Sequence, residues 1–264
     1  MHLSKIKHPT FVATAIVFSL LYVIAAIRYK GFFSPIQTTS LFSDNAALGL
    51  AAIGMTFVIL SGGIDLSVGA VIALASIFLG KCIVQWEWPA YLAIPLVLAS
   101  GAAFGTAMGT IIRLFRLPPF LVTLAGMFLA RGLALVLTKD KRLSIRGDDS
   151  FDWLVDFSVG FGKFEFNLPA VAFMAAMVVA VVVAHWTRFG RNVYAIGGNA
   201  QSAVLMGLPV GKTTIQIYAL SGLCAATGGV IYAIGAESGD ASVAQLRELD
   251  AIAAVFIGGT LLSG

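Results

Sequence analysis

An apolar run from Asn45 to Leu60 meets Ser61-Gly62-Gly63-Ile64-Asp65-Leu66-Ser67 and passes straight into a second apolar run that ends near Val84. No other stretch limits the possible folds as tightly. Two glycines and a carboxylate interrupt a hydrophobic helix, and hydrocarbon offers the freed backbone groups no water. Irregular chain at that depth is tolerated only where protein buries it or where it lines a wet cavity. Broken helices facing a mid-membrane site are a device of transporters, and an ionisable residue inside a membrane is a functional hypothesis by default. Two compatible readings of Asp65 follow. In one it belongs to a translocation pathway or gate, together with Thr56, Ser61, Gly62 and Gly63. In the other it caps the helix that begins near Leu66, assisted by Ser67.

Composition places the whole chain in the membrane. Hydrophobic residues make up 59% and charged residues 11%, with a mean hydropathy of +0.93, far from the profile of soluble domains. Eight apolar stretches stand out, at 10–27, 45–61, 66–84, 90–112, 120–138, 167–186, 213–235 and 250–263. At about 20 residues per span they account for about 160 residues, leaving no room for a soluble domain. The expected fold is therefore all-α, a polytopic transmembrane helix bundle of about eight spans with a broken helix near Gly62 to Asp65, and 1–264 form a single transmembrane domain. Pro89, Pro118 and Pro169 stand at span starts, where a missing N–H costs nothing. Gly101, Ala102, Ala103, Gly105, Ala107 and Gly109 make the fourth span a candidate for close helix packing.

Charge asymmetry orients the bundle. With the N-terminus in the cytoplasm, the tail, Arg113 to Pro119 and Arg188 to Lys212 carry seven Lys/Arg and no acidic residue on the inner side. The long segment from Lys139 to Phe166 then falls outside, with Arg28 and Lys30 as a mild exception. The first span is too long for a signal-peptide core and lacks a cleavage site, so it stays as a helix. Cys82 and Cys224 both fall in apolar spans and suggest neither disulfide nor metal.

The inner segment from Arg188 to Lys212 is the second informative feature. Arg188 to Asn199 reads as a loop, bent at Gly190, Gly197 and Gly198. Ala200 to Met206 reads as a short helix, stopped by Gly207 with Pro209 beyond. Val204, Leu205 and Met206 on that helix suit docking to a partner or, alternatively, to the membrane surface. Gly207 to Thr213 imitates a phosphate-binding loop, but it has three residues between its glycines where four are required, and no strand precedes it. Gly160-Phe161-Gly162 lies in a polar outer loop and is no dinucleotide site. Neither a nucleophile with its base nor a cluster of metal ligands is readable, so catalytic residues, metal and cofactor are not expected.

Three segments carry a family resemblance: Gly54 to Gly69, Arg188 to Asn199, and Leu249 to Ala254 with Ile257 to Thr260. Together they resemble the permease subunits of bacterial sugar ABC importers of the ribose, galactose and xylose type, over nearly the whole chain. Thr123 to Phe128, Thr187 to Gly190 and Glu248 to Gly264 are most similar to the galactofuranose branch. The resemblance implies a multi-pass inner-membrane subunit that pairs with a second permease, identical or homologous, and takes a monosaccharide from a periplasmic sugar-binding protein. Its inner segment would bind a cytoplasmic ABC ATPase, on which the ATP is hydrolysed. Membrane lipid is an expected neighbour; nucleic acid is not. The coupling segment carried over in this way comprises Gly190, Arg191, Tyr194, Gly197, Gly198, Asn199, Leu205, Met206 and Gly207. Family members continue past Gly-Gly-Thr-Leu-Leu-Ser-Gly, whereas the chain stops at Gly264, which implies missing C-terminal helices. An internal repeat agrees: Ala51-Ala52 and Leu60-Ser61-Gly62 match Ala253-Ala254 and Leu262-Ser263-Gly264 at one offset.

A secondary transporter and a branched-chain amino-acid ABC permease are the neighbouring alternatives; an intramembrane enzyme would need converging titratable groups. The polar candidates at depth are Asp65, Arg131 and Asp250. Arg131 lies about 16 Å into its span and should meet a carboxylate or a carbonyl rather than lipid.

Overall fold

A computed structural model describes residues 9–138 and 142–260. The basic tail residues Lys5 and Lys7, Lys139 and Asp140, and the copy of the break at Leu262 to Gly264 lie outside them. The chain is a helical membrane bundle, with helices α1 (Pro9–Arg28), α2 (Pro35–Asp44), α3 (Ala46–Leu60), α4 (Val68–Val84), α5 (Ala90–Phe115) and α6 (Pro119–Thr138). A short region between α6 and α8 follows: strand β1 (Leu143–Ser144), α7 (Asp149–Val155), and the antiparallel hairpin β2 (Ser158–Phe161) and β3 (Phe164–Asn167). Then come α8 (Leu168–Trp186), α9 (Arg188–Gly198), α10 (Ala200–Leu205), α11 (Val210–Ala236), β4 (Ser238–Gly239), which pairs with β1, and α12 (Arg247–Ile257).

Among the described residues, four helices are long and apolar enough to cross a membrane: α5, α6, α8 and α11. The pair α2 and α3, bent by 49°, makes a fifth if it is one span. The count of eight is therefore not reached by length and composition. The Val12–Arg28 part of α1 and the whole of α4 are apolar but shorter, and α12 ends at Ile257 rather than near residue 263. With Gly259 at a positive φ of 102°, α12 ends at Ile257, five residues before Leu262, which the internal repeat matches to the end of α3.

α4 and α11 form the middle of the bundle. Nearly every residue from Val68 to Ile83 is buried, and α11 packs against α3, α4 and α5. Close approach is possible because the α5–α11 interface lacks side chains: Gly101, Gly105 and Gly109 lie four residues apart on one face of α5, opposite Gly222, Tyr218 and Ile215 of α11. The other small residues of that stretch do not share this role, since Ala103 and Ala107 are exposed. Large apolar side chains on α1 and α8, among them Phe18, Leu21, Val178 and Val179, point outward as lipid-facing residues do in a membrane bundle.

Candidate functional site

The break between α3 and α4 is built from hydrogen bonds that leave it no freedom to be helical. Gly62 sits at φ +79°, and the Gly62 and Gly63 amides donate to the carbonyls of Ile59 and Val58, both at 2.9 Å. These two bonds are the Schellman closure of a helix C-terminus, and it requires a residue in the left-handed region. A Cβ on Gly62 would meet nothing within 4 Å, so glycine is needed there for its φ and not for space. Ser61 Oγ donates to the Val58 carbonyl at 2.8 Å, and Thr56 Oγ1 to that of Ala52 at 2.7 Å.

Asp65 is 0% exposed, and its carboxylate is fully engaged. Oδ1 accepts from the Ser67 amide at 2.9 Å and the Ser67 hydroxyl at 2.6 Å; Oδ2 accepts from the Ser221 hydroxyl of α11 at 2.7 Å. From α6, Thr123 holds the chain on either side of Asp65, accepting from the Leu66 amide at 3.1 Å and facing the Ile64 carbonyl at 3.2 Å. Protein therefore buries Gly63, Asp65 and Ser67 while Gly62 stays exposed, and Asp65 closes a turn onto Ser67, the N-cap residue of α4, without capping the first turn of that helix itself. An apolar cavity of about 280 Å³ lies nearby between α4, α5 and α6, lined by Val71, Phe78, Phe104 and Leu133 but not by Asp65.

Arg131 meets carbonyls, as expected. Its guanidinium donates to Val243 at 2.8 Å, Ala241 at 3.1 Å and Ala244 at 3.5 Å, all in the crossover from α11 to α12. Ala244 and Leu246 in that crossover have positive φ of 56° and 62°. The structure does not bring Asp250 to this group: it is exposed and pairs with Arg247 at 3.5 Å. The buried carboxylate of α12 is instead Glu248, 6% exposed, whose Oε2 packs against Gly69 without a hydrogen-bond partner. Among the described residues the ion pairs are Arg247 with Asp250 and Arg146 with Glu237, so Asp65 and Arg131 are not bonded to each other. Sequence reading missed Thr123, Ser221, Tyr218 and Glu248. The first three are hydroxyls scattered in apolar spans, where composition does not distinguish a bundle-facing residue from a lipid-facing one.

The segment from Arg188 to Lys212 is more ordered than the sequence suggests. Arg188 to Gly198 is helix α9, not a loop, capped by Thr187, whose Oγ1 accepts from the Gly190 amide at 3.1 Å. The expected bends at Gly190, Gly197 and Gly198 are absent, since all three are helical and none has positive φ. Gly190 serves contact instead, because a Cβ there would run into the Ala184 carbonyl oxygen at the end of α8. The turn falls at Asn199, which is extended and caps α10 by accepting from the Ser202 amide at 2.8 Å. Helix α10 ends as read. Gly207 (φ +76°) and Leu208 donate to the carbonyls of Val204 and Ala203 at 2.9 and 3.0 Å, the same closure as at Gly62.

This segment has two faces. Val193 and Ile196 are buried, whereas Arg191, Tyr194, Val204, Leu205 and Met206 are exposed, Leu205 to 88%. Val193 shares one core cluster with Phe57 and Val58 at the end of α3 and with Ile217 and Tyr218 of α11. Phe189 stacks on Phe57 with ring centroids 5.8 Å apart. This segment and the break are thus two ends of one packed unit.

The family described as branched-chain amino acid transport system / permease component matches residues 37–264. Over 253 residues the chain is 45% identical to the inner membrane ABC transporter permease protein YjfF of Escherichia coli (strain K12), covering 94% of this chain and 75% of the relative. It is 40% identical over 248 residues to the ribose import permease protein RbsC of Bacillus subtilis (strain 168), covering 93% and 75%, and 37% identical over 258 residues to the fructose import permease protein FruG of Bifidobacterium longum (strain NCC 2705), covering 96% and 75%. No solved structure matches the chain.

Proposed function

Because the chain belongs to the family of branched-chain amino acid transport system / permease components, we propose that it is the membrane subunit of an ABC importer that moves a monosaccharide inward. It is a transport subunit and not an enzyme. Sugar is favoured over amino acid because relatives named for their substrates import ribose and fructose. The motifs at Thr123 to Phe128 and Glu248 to Gly264 favour galactofuranose or a related sugar. The partners of this reading are a cytoplasmic ATPase, a periplasmic sugar-binding protein and a second permease.

The observation that carries the mechanism is the shared core of α9 with the break. ATPase closure against the exposed face of α10 would press on α9, and Val193 would transmit that displacement to Phe57, Val58 and Tyr218, which flank Gly62 to Asp65. A packed core passes on such a shift because it has few voids to absorb it. Asp65, Thr56, Ser61, Gly62, Gly63, Arg131 and Asp250 are assigned to the pathway or its gate.

The direct test is purification from the native host. The chain should carry an ABC ATPase with it, and uptake of labelled sugar should require both that ATPase and a periplasmic binding protein. Proton-driven uptake without an ATPase would favour a secondary transporter and overturn the proposal.

Topology is tested separately. In a background lacking Cys82 and Cys224, an impermeant maleimide applied to intact spheroplasts should label Lys163→Cys in the β2–β3 hairpin and leave Ser202→Cys on α10 untouched until the membrane is opened. Both sites are exposed, so access depends on the side of the membrane alone. Labelling of Ser202→Cys in sealed cells would reverse the orientation.

A further inference from the structure

Tyr218 holds nothing in place with its hydroxyl. The side chain is 2% exposed, and Oη has no hydrogen-bond partner. A buried hydroxyl left unpaired is costly, and natural cores pair nearly all such groups. The packing around it is nonetheless close: a Cβ on Gly63 would stand 2.6 Å from Oη, and one on Gly109 3.2 Å from the Tyr218 Cβ. The hydroxyl therefore sits against the break itself.

Tyr218 precedes Ser221 by three residues on α11, so the two hydroxyls project from one face of the helix. Ser221 donates to Asp65 Oδ2 at 2.7 Å, and the Tyr218 hydroxyl lies against Gly63, two residues before that carboxylate. We propose that Asp65 exchanges partners during transport: Oδ2 accepts from Ser221 in the state described here, and from Tyr218 in a second state reached when α11 shifts along α5. Three residues of helix rise about 4.5 Å, and a long tyrosine side chain shortens the displacement needed. The α5 surface under α11 is lined by Gly101, Gly105 and Gly109, so the two backbones meet without interlocking side chains to obstruct a slide. One element ratcheting past another between two packed positions is an established form of switching. Because Tyr218 and Val193 lie in one core cluster, movement of α9 and of α11 would be linked. The inference rests on reading the break as part of the transport pathway.

Tyr218→Phe keeps the ring and deletes only the unpaired hydroxyl. Its melting temperature should equal or exceed that of the unmodified complex, while the rate of sugar uptake falls at least tenfold and ATPase binding persists. Ser221→Ala deletes the opposite partner. The native thiol of Cys224, three residues past Ser221 and packed on Gly54, reports the position of α11 in a Cys82→Ala background. The two variants should change its labelling rate by a membrane-permeant maleimide in opposite directions, at least threefold each. Purely structural damage would speed both. Normal uptake by Tyr218→Phe, loss of its folded complex, or labelling shifts of the same sign would each overturn the exchange. Normal uptake by Asp65→Asn would instead remove the carboxylate charge from the pathway. Failure of Asp65→Asn beside a normal Tyr218→Phe would overturn the exchange alone.

Discussion

Gly105→Leu should leave almost no folded protein in the membrane. A Cβ at this position would be driven into the Tyr218 carbonyl oxygen, 2.8 Å from its carbonyl carbon and 3.2 Å from the Ala219 Cα. All three are backbone atoms of α11, so no rotamer change relieves the clash and the helices must part. Parting them also breaks the contacts of Gly101 with Ala226 and of Gly222 with the Gly101 carbonyl. Overpacking typically costs about 1–3 kcal/mol; this site should reach or exceed the upper end, because one side chain props open the most extensive interface of the bundle. At about 1.4 kcal/mol per decade, steady-state abundance should fall tenfold or more. Ala103→Leu and Ala107→Leu, on the exposed face of the same helix, should accumulate normally. Abundance and fluorescence-detected gel filtration after mild detergent extraction measure all three, and a monodisperse Gly105→Leu protein at normal level would refute the packing argument.

Leu205→Glu should have the opposite profile, with normal insertion and lost coupling. Leu205 is 88% exposed at the end of α10 and contributes nothing to the core, so the fold has no reason to object. In the assembled importer the same side chain would be buried against the ATPase, where an unpaired carboxylate is costly. A hot-spot residue in such an interface is worth about 2 kcal/mol or more, so ATPase affinity should drop about 30-fold and sugar-stimulated hydrolysis should disappear. Gly198→Val is the informative neutral partner: Gly198 is helical, and a Cβ there meets nothing within 4 Å, so coupling should survive. Gly207→Val should behave like Leu205→Glu, because φ +76° disfavours a β-branched residue and the end of α10 would unwind. Full ATPase binding by Leu205→Glu would demote the segment to a surface helix.

Residue types alone made several features legible. A long apolar chain with few charges has no soluble solution, so the membrane class and the helical fold follow from the need to satisfy backbone groups without water. A glycine just past an apolar or helical run marks a helix end, and Gly62 and Gly207 both occupy the left-handed conformation that closes one. The short helix ending before Gly207, the proline-marked span starts and the carbonyl-bound Arg131 were readable for similar reasons. Each depends on a conformational or desolvation rule acting within a few residues.

What failed depends on contacts between distant parts of the chain. Gly190 and Gly198 resemble hinge residues in isolation. The structure makes Gly190 a contact point under Ala184 and leaves Gly198 in an ordinary helix, because close approach and bending call for the same residue and only the neighbour distinguishes them. The apolar run singles out Asp250 as a polar residue at depth, yet α12 turns Glu248 inward against Gly69 and leaves Asp250 exposed beside Arg247. Membership in a transmembrane bundle and the broken helix were determined by the sequence by itself, through local backbone chemistry. The burial of Asp65 by Ser221 and Thr123, the unpaired Tyr218 hydroxyl and the common core of α9 with the break were decided only by tertiary structure, because these join residues from 57 to 156 positions apart whose proximity no local rule encodes.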